Sequence, residues 1–472
     1  MSSPAELRPE HLHELVRERI VDLRLRGNIG RATRTSLEKR LRAIADYDDW
    51  EAMRDAAHAI KKHTLDNIVQ YLARFEERAA ARGTVVHYAS SGAEACEIII
   101  DLVASRGGRL AVKSKSMTSE EIGLGHALEA AGIEAVETDL GEYIVQLAGE
   151  MPSHITAPAL HKSREDIGRL FEAQLGIEYT SDPETLTAVA RRVLRGKFLT
   201  ADIGISGVNA AVADTGAICI VENEGNARMS TTVPRVHIAL MGCEKLVPDM
   251  RALAHGLNGL ARSATGQRLS CYTNIIAGPK KSGELDGPDE LHVVIMDNGR
   301  SRLLGDARLR EALLCIRCGA CMNTCPVYQT VGGHAYGSIY PGPIGSVITP
   351  VFLGLDRAVA MPYASSLCGA CSAICPVKID LHHMLLWQRH LAADRALGHW
   401  LERASMRAFL LLMRHPALYR TAARAVTFFA PLLGGERGTV RLPLWSRSRD
   451  FRLPREASFK RQWKERMHER QG

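Results

Sequence analysis

Residues 315–326 read CIRCGACMNTCP, and residues 368–376 read CGACSAICP. The first run is C-x2-C-x2-C-x3-C with Pro326 after it; the second is C-x2-C-x3-C with Pro376 after it. This is the ligand spacing of a bacterial ferredoxin. Two intervening residues let successive thiolates converge on the irons of one cubane, and the proline turns the chain away after the last thiolate. In two-cluster versions the last cysteine of each run reaches across to the other cluster. The spacing therefore assigns Cys315, Cys318, Cys321 and Cys375 to one cluster, and Cys325, Cys368 and Cys371 to the other. Zinc also takes four cysteines, but its sites usually pair two CxxC hooks. They do not need this longer run twice.

The runs are an internal repeat with a constant offset of 50 residues, which carries Cys315 onto Ser365. The second cluster is thus expected to have three cysteine ligands. Three outcomes follow: a 3Fe–4S centre, a 4Fe–4S centre capped by water or Ser365, or one capped from elsewhere. His382 and His383 are candidate donors, with surface or packing roles as the plainer reading. The offset also leaves room for helices between the runs, giving an α-helical ferredoxin-like domain.

Outward from the cysteines the texture changes twice. Before about residue 80, Leu37, Leu41, Ile44 and then Ile60, Leu65, Ile68, Leu72 recur at helical spacing. From Gly83, short β-rich runs (VVHYAS, RLAVKSKS, EAVETDL, AICIVE, VHIALMG) alternate with helical stretches, predicting an α/β domain with a mostly parallel sheet. AICIVE, apolar on both faces, is expected in that sheet, covered by helices on both sides. The expected division is 1–80 helical, 81–300 α/β, 301–390 two-cluster iron–sulfur, and 391–472 a helical extension ending in a basic tail.

The chain has 472 residues, 46% of them apolar and 24% charged, which suits a multidomain globular protein and excludes a disordered or polytopic membrane chain. The first residues show no apolar h-region, so a cytoplasmic, reducing setting is expected for the eleven cysteines. Net charge is +7, and residues 437–472 alone carry eleven Lys/Arg against four Asp/Glu. The body is therefore neutral overall, which gives no reason to expect nucleic-acid binding. Cys219 reads as a core residue; Cys96, Cys243 and Cys271 lack ligand-like spacing.

Within the α/β region, Lys113, Ser114, Lys115 and Ser116 follow a strand and precede a helix, as an anion site or as an ordinary solvated loop. Asp214-Thr215-Gly216 reads as a turn. Glu222, Glu224, Gly225, Asn226, Arg228 and Ser230 line a cleft at a strand end or form a capped turn. His154 and His161 form a weak candidate metal pair. No nucleophile–base pair is evident, and no G-x-G-x-x-G opens a helix.

KSKSMTSEEIG, TDLGEYIVQLAGEMPSHITAPALHK, ADTGAICIVENEGNARMSTTVPRVHIALMGCEKLVP and YPGPIGSVITP, with both cysteine runs, closely resemble the LutB-type lactate-utilisation iron–sulfur proteins. The resemblance implies an α/β LUD domain of NagB/RpiA-like fold, a two-cluster 4Fe–4S module and a C-terminal helical extension. It implies participation in oxidising L-lactate to pyruvate, with two partners: a cysteine-rich heterodisulfide-reductase-like subunit and a smaller LUD-domain subunit. It maps ligands onto Cys315, Cys318, Cys321, Cys325, Cys368, Cys371 and Cys375, and implies that Ser365 is a family trait. It supplies no catalytic residue.

Two functional readings compete. One is an electron-transfer subunit of an L-lactate-oxidising complex. The other is a self-sufficient 2-hydroxy-acid dehydrogenase with substrate in the LUD cleft, which lacks an evident two-electron acceptor. A regulatory nucleic-acid-binding iron–sulfur protein would need the tail and has no recognition helix. Arg403, Arg407 and Arg414 fall on one helical face, with Trp400, Met406, Phe409, Leu410 and Met413 as the apolar remainder. That helix is expected to dock on the cluster module or a partner, or to touch the inner face of the membrane. The uncharged run from Ala425 to Gly435 is too short to span a bilayer, which takes about 20 apolar residues.

Overall fold

Six strands of mostly β-branched and small residues make one parallel sheet. They are β1 (Thr84–Ala89), β2 (Leu110–Lys113), β3 (Glu134–Glu137), β4 (Ile203–Gly207), β7 (Val236–Gly242) and β10 (Glu290–Met296), in the order β1-β10-β7-β4-β2-β3. The computed structural model describes residues 11–397, 400–433, 439–440, 451–452 and 459–470. Central β7 is buried along its whole length, as its run VHIALMG requires. From β2 the chain steps outward to β3, whereas from β4 it steps the other way to β7. The order therefore reverses between β2 and β4, and a crevice opens at their carboxyl ends.

β6 (Ala217–Glu222), the AICIVE run, lies outside this sheet. It is the centre of a smaller one with β5 (Ala210–Val212), β8 (Leu246–Val247) and β9 (Tyr272–Ile276), ordered β8-β5-β6-β9. The expectation is corrected by the turn before it. Gly216 adopts φ +68°, and a Cβ there would lie 2.3 Å from the Ala79 nitrogen. That turn folds β6 back antiparallel on β5. An apolar run requires cover on both faces, whatever supplies it.

Four N-terminal helices, Leu12–Ile20, Leu23–Ala45, Trp50–Asp66 and Ile68–Ala80, lie against the cysteine module and the sheet. Asp22 and Asp49 cap the second and third, accepting from the Leu25 and Ala52 amides at 2.9 and 2.8 Å. Helices Pro326–Val331 and Gly342–Phe352 fill the interval between the cysteine runs. Leu25 and Ile29, Met241 and Ile295, and Tyr328 and Ile344 share one hydrophobic core, which joins the three regions.

Residues 396–472 form a separate unit. It contains helices Trp400–Arg414 and Pro416–Leu433, a strand pair Thr439–Val440 with Phe451–Arg452, and helix Phe459–Glu469. No residue of Trp400–Arg414 is buried, and Trp400, Met406, Phe409, Leu410 and Met413 are all exposed. Among the described residues no helix is long and apolar enough to cross a membrane. Gly434, Gly435 and most of the tail between them and Phe459, including Pro443 and Pro454, lie outside the described residues.

Candidate functional site

The repeat is visible in the backbone. Arg317 and Leu367, 50 residues apart, are both left-handed non-glycine residues at φ 61° and 56°, and Gly319 and Gly369 follow at 75° and 78°. Such conformations cost energy outside glycine and persist where the surroundings demand them. Here they turn amides toward sulfur. The Arg317 amide donates to Cys315 Sγ at 3.4 Å. Its counterpart, the Leu367 amide, donates to Ser365 Oγ at 3.1 Å. Ser365 thus occupies the place of Cys315 in the same turn.

Further amides face the other sulfurs: Ala320 faces Cys318, Ile344 faces Cys321, and Val327 and Tyr328 face Cys325. Ala370 faces Cys368, Ser372 faces Cys371, and Val377 and Ile379 face Cys375. Donors aimed at thiolates are what an iron–sulfur cluster requires of its protein. The thiols gather into two groups. Cys318 lies within electrostatic reach of Cys375 and Cys315, and Cys321 of Cys315, Cys318 and Cys375. Cys325 senses Cys368, and Cys371 senses both. Burial pushes Cys371 and Cys375 up to about 11, and Cys318 and Cys321 higher still. Thiols so buried release their protons when metal replaces them. The donor set fits iron–sulfur clusters.

Cations crowd the first group. Arg40 lies near Cys318 and Cys375, and Arg54 near Cys375. Lys61, Lys245 and Arg317 lie near Cys315. Arg54 also donates to the carbonyls of Ala373 and Cys375 at 2.8 and 2.9 Å, and Arg40 to that of Ile374 at 2.9 Å. They satisfy carbonyls that the short helix Ala370–Ile374 leaves open. Among the described residues, no cation is a principal influence on Cys325, Cys368 or Cys371.

A buried polar network joins this module to the α/β domain. Arg300 bonds Glu244 at 2.6 Å and holds both oxygens of Glu121 at 2.9 Å. Tyr340 donates to Glu121 at 2.7 Å, and the Arg317 guanidinium lies over the Tyr340 ring. Burial alone would raise the Glu244 carboxyl, but Arg300, Lys245 and Arg317 hold it at about 2. Beside this network lies a cleft of about 250 Å³, lined by Ser114, Lys115, Glu222, Asn226, Lys245 and Arg317 among others. It occupies the crevice between β2 and β4.

Three family profiles match: a LUD domain over residues 72–296, a 4Fe-4S dicluster domain over 311–379, and the C-terminal region of lactate utilisation protein B over 388–468. Lactate utilization protein B of Bacillus cytotoxicus is 43% identical over 96% of this chain and 96% of its own length. The chain belongs to the lactate utilization protein B family. Its counterpart in Macrococcus caseolyticus is 42% identical over the same shares. A solved DUF162-family chain of Deinococcus radiodurans is 15% identical, covering 48% of this chain and 98% of its own, at a TM-score of 0.28.

In this family member several expectations change. Lys113 is no anion ligand: it is buried and ion-paired with Glu120 and Glu137 at 2.8 and 2.5 Å. Ser116 caps the five-residue helix Met117–Glu121 and, with Ser114 and Lys115, lines the cleft. Glu222 and Glu224 also line it, but Arg228 is absent from its wall and Ser230 is buried against Thr138. Gly225 is the left-handed cap of helix Asn226–Thr232. His161 groups with Glu150 and His334, whereas His154 lies buried over Gly319, its imidazole held neutral by burial at about 3. His382 contacts Ser372 and Asp380, and His383 contacts Asp380. Cys96 and Cys219 are buried, Cys243 is half-buried and Cys271 exposed. Spacing logic missed Arg40, Arg54, Lys61, Lys245, Arg317 and Tyr340.

Proposed function

We propose that this chain is the iron–sulfur electron-transfer subunit of a multi-subunit system that oxidises L-lactate to pyruvate and supports growth on lactate. The supporting observation is the adjacency of two thiol groups in one module to a cleft at the sheet's switch point. Cys315, Cys318, Cys321 and Cys375 hold one cluster; Cys325, Cys368 and Cys371 hold the other, with Ser365 at the vacant ligand position of the repeat. When bound, the clusters accept and pass single electrons. Arg40 and Arg54 fix the second run's carbonyls and supply positive charge beside the four-cysteine group. Arg300, Glu121, Glu244 and Tyr340 lock that group's loop against the α/β domain.

The clusters take electrons singly and a two-electron acceptor is not evident in this chain, so it works with partners: a cysteine-rich heterodisulfide-reductase-like subunit and a smaller LUD-domain subunit. The exposed apolar face of Trp400–Arg414 is the docking surface for one of them, in the cytoplasm. Contact with the inner face of the membrane is the competing use of that face. Retention in the supernatant with anionic liposomes at low salt would exclude it. The working division remains 1–80, 81–300, 301–390 and 391–472. Lactate-dependent dye reduction tests the assignment. It is expected only with partners present, and full activity of the chain alone would favour the self-sufficient dehydrogenase.

A further inference from the structure

The cleft contains polar groups that the fold leaves without partners. Arg317 Nη1 and Ser114 Oγ are buried, line the cleft and make no hydrogen bond. The Arg317 side chain is 10% exposed, and its other terminal nitrogen stands 3.7 Å from Glu244. Lys115 and Lys245 also line the cleft, and neither makes an ion pair among the described residues. A buried cationic nitrogen without a partner is costly unless a ligand supplies one.

The cleft's acids are already committed. Glu222 accepts from the Ala227 and Arg228 amides at 2.7 and 2.8 Å and from Asn274 at 3.0 Å. Glu224 takes the Leu140 amide at 3.1 Å, and Asp139 caps the same helix at Glu142. These carboxylates are held by amide donors at helix starts, whereas the cationic heads of Arg317, Lys115 and Lys245 face the cavity without hydrogen-bonded acid partners among the described residues. At about 250 Å³ the space falls below the roughly 300–1,000 Å³ of pockets for drug-sized ligands. It suits a small molecule better than a fully enclosed dinucleotide or flavin. Arg317 belongs to the cysteine loop itself, so an anion on its guanidinium lies beside Cys315.

We propose that this cleft binds a small 2-hydroxy or 2-oxo monocarboxylate. Arg317 and Lys245 hold the carboxylate, and Ser114 and Lys115 are partners for the 2-oxygen. This deepens the lactate-oxidation reading and rests on it. The test is calorimetric titration of the anaerobic, cluster-loaded chain with L-lactate, pyruvate, propionate and inorganic phosphate, with EPR of the reduced clusters in parallel. Pyruvate and L-lactate should bind, propionate more weakly. Lys245→Met should weaken binding roughly 10–100-fold, the loss of one charge-assisted hydrogen bond, with iron content unchanged. Ligand should shift the signal of the cluster beside Cys315 and leave the other unmoved. Arg317→Gln should act likewise; if it sheds the cluster, Lys245→Met decides. Full clusters with no carboxylate binding, equal binding of phosphate, or indifference to Lys245→Met would overturn the site. Absence of clusters by iron and sulfide quantitation would instead overturn the electron-transfer reading.

Discussion

The two thiol groups are copies of one local design in different electrostatic surroundings. Around Cys318, Cys321 and Cys375 the thiols are buried, and Arg40, Arg54, Lys61, Lys245 and Arg317 stand close to the group. In the other group Cys325 and Cys371 are also buried but Cys368 is exposed, Ser365 stands where a thiolate would, and among the described residues no cation is a principal influence on the sulfurs. The 50-residue repeat sets the turns that aim sulfur and amide. Charge and burial come from what the N-terminal helices and the α/β domain place against each copy. Cations and burial tune cluster potential, so the two centres of this chain are expected to differ.

Loss of a ligand should separate them most. Cys321→Ser places a poor donor in a buried site. It should empty the first cluster and cost more than about 4 kcal/mol of stability. Cys368→Ser, at the exposed site, should lose its cluster at a cost of about 1–2 kcal/mol. Iron content and thermal unfolding of the two anaerobic proteins measure both effects, and equal destabilisation would erase the contrast. Next, Arg54→Met removes three hydrogen bonds, two to carbonyls of the second run and one to Glu51, and a buried charge. It should cost about 3 kcal/mol and lower the first cluster's potential by roughly 60 mV, a tenfold change in the one-electron equilibrium. The second cluster's potential should stay put in a redox titration; parallel movement of both would mean that the cations do not discriminate.

What was legible beforehand was local. Ligand runs, the repeat and the missing thiolate at Ser365 follow from spacing alone, as do β7 and the N-terminal helices from periodicity. Arg40, Arg54 and Lys61 were invisible because a charged residue on an amphipathic helix looks like part of a solvated face. Only tertiary packing puts these three against carbonyls of the second cysteine run and of Glu244 and Leu246. Arg317 stands inside the ligand motif, where spacing attends to cysteines. β4, with two glycines in five residues, is weakly patterned, and the AICIVE run could not announce which sheet would cover it.

Smaller effects sharpen the contrast. Ser365→Cys adds the thiolate that the repeat requires, and should suppress oxidative conversion of the second cluster to a 3Fe signal while leaving the first unchanged. Conversion as fast as in the wild type would show that Ser365 does not face the open iron. Phe409→Glu, on the exposed helix, should alter stability by no more than about 0.5 kcal/mol. It should still weaken capture of a partner subunit, and undiminished capture would remove this face from the interface.

Crossed ligation is tested most directly by EPR of the reduced, anaerobic Cys375→Ser and Cys325→Ser proteins beside the wild type. Wild type should show two distinguishable cluster signals. Cys375→Ser should lose the signal of the cluster built on Cys315, Cys318 and Cys321, and Cys325→Ser should lose that of the cluster built on Cys368 and Cys371. Loss in each variant of the cluster belonging to its own run would contradict the crossed arrangement.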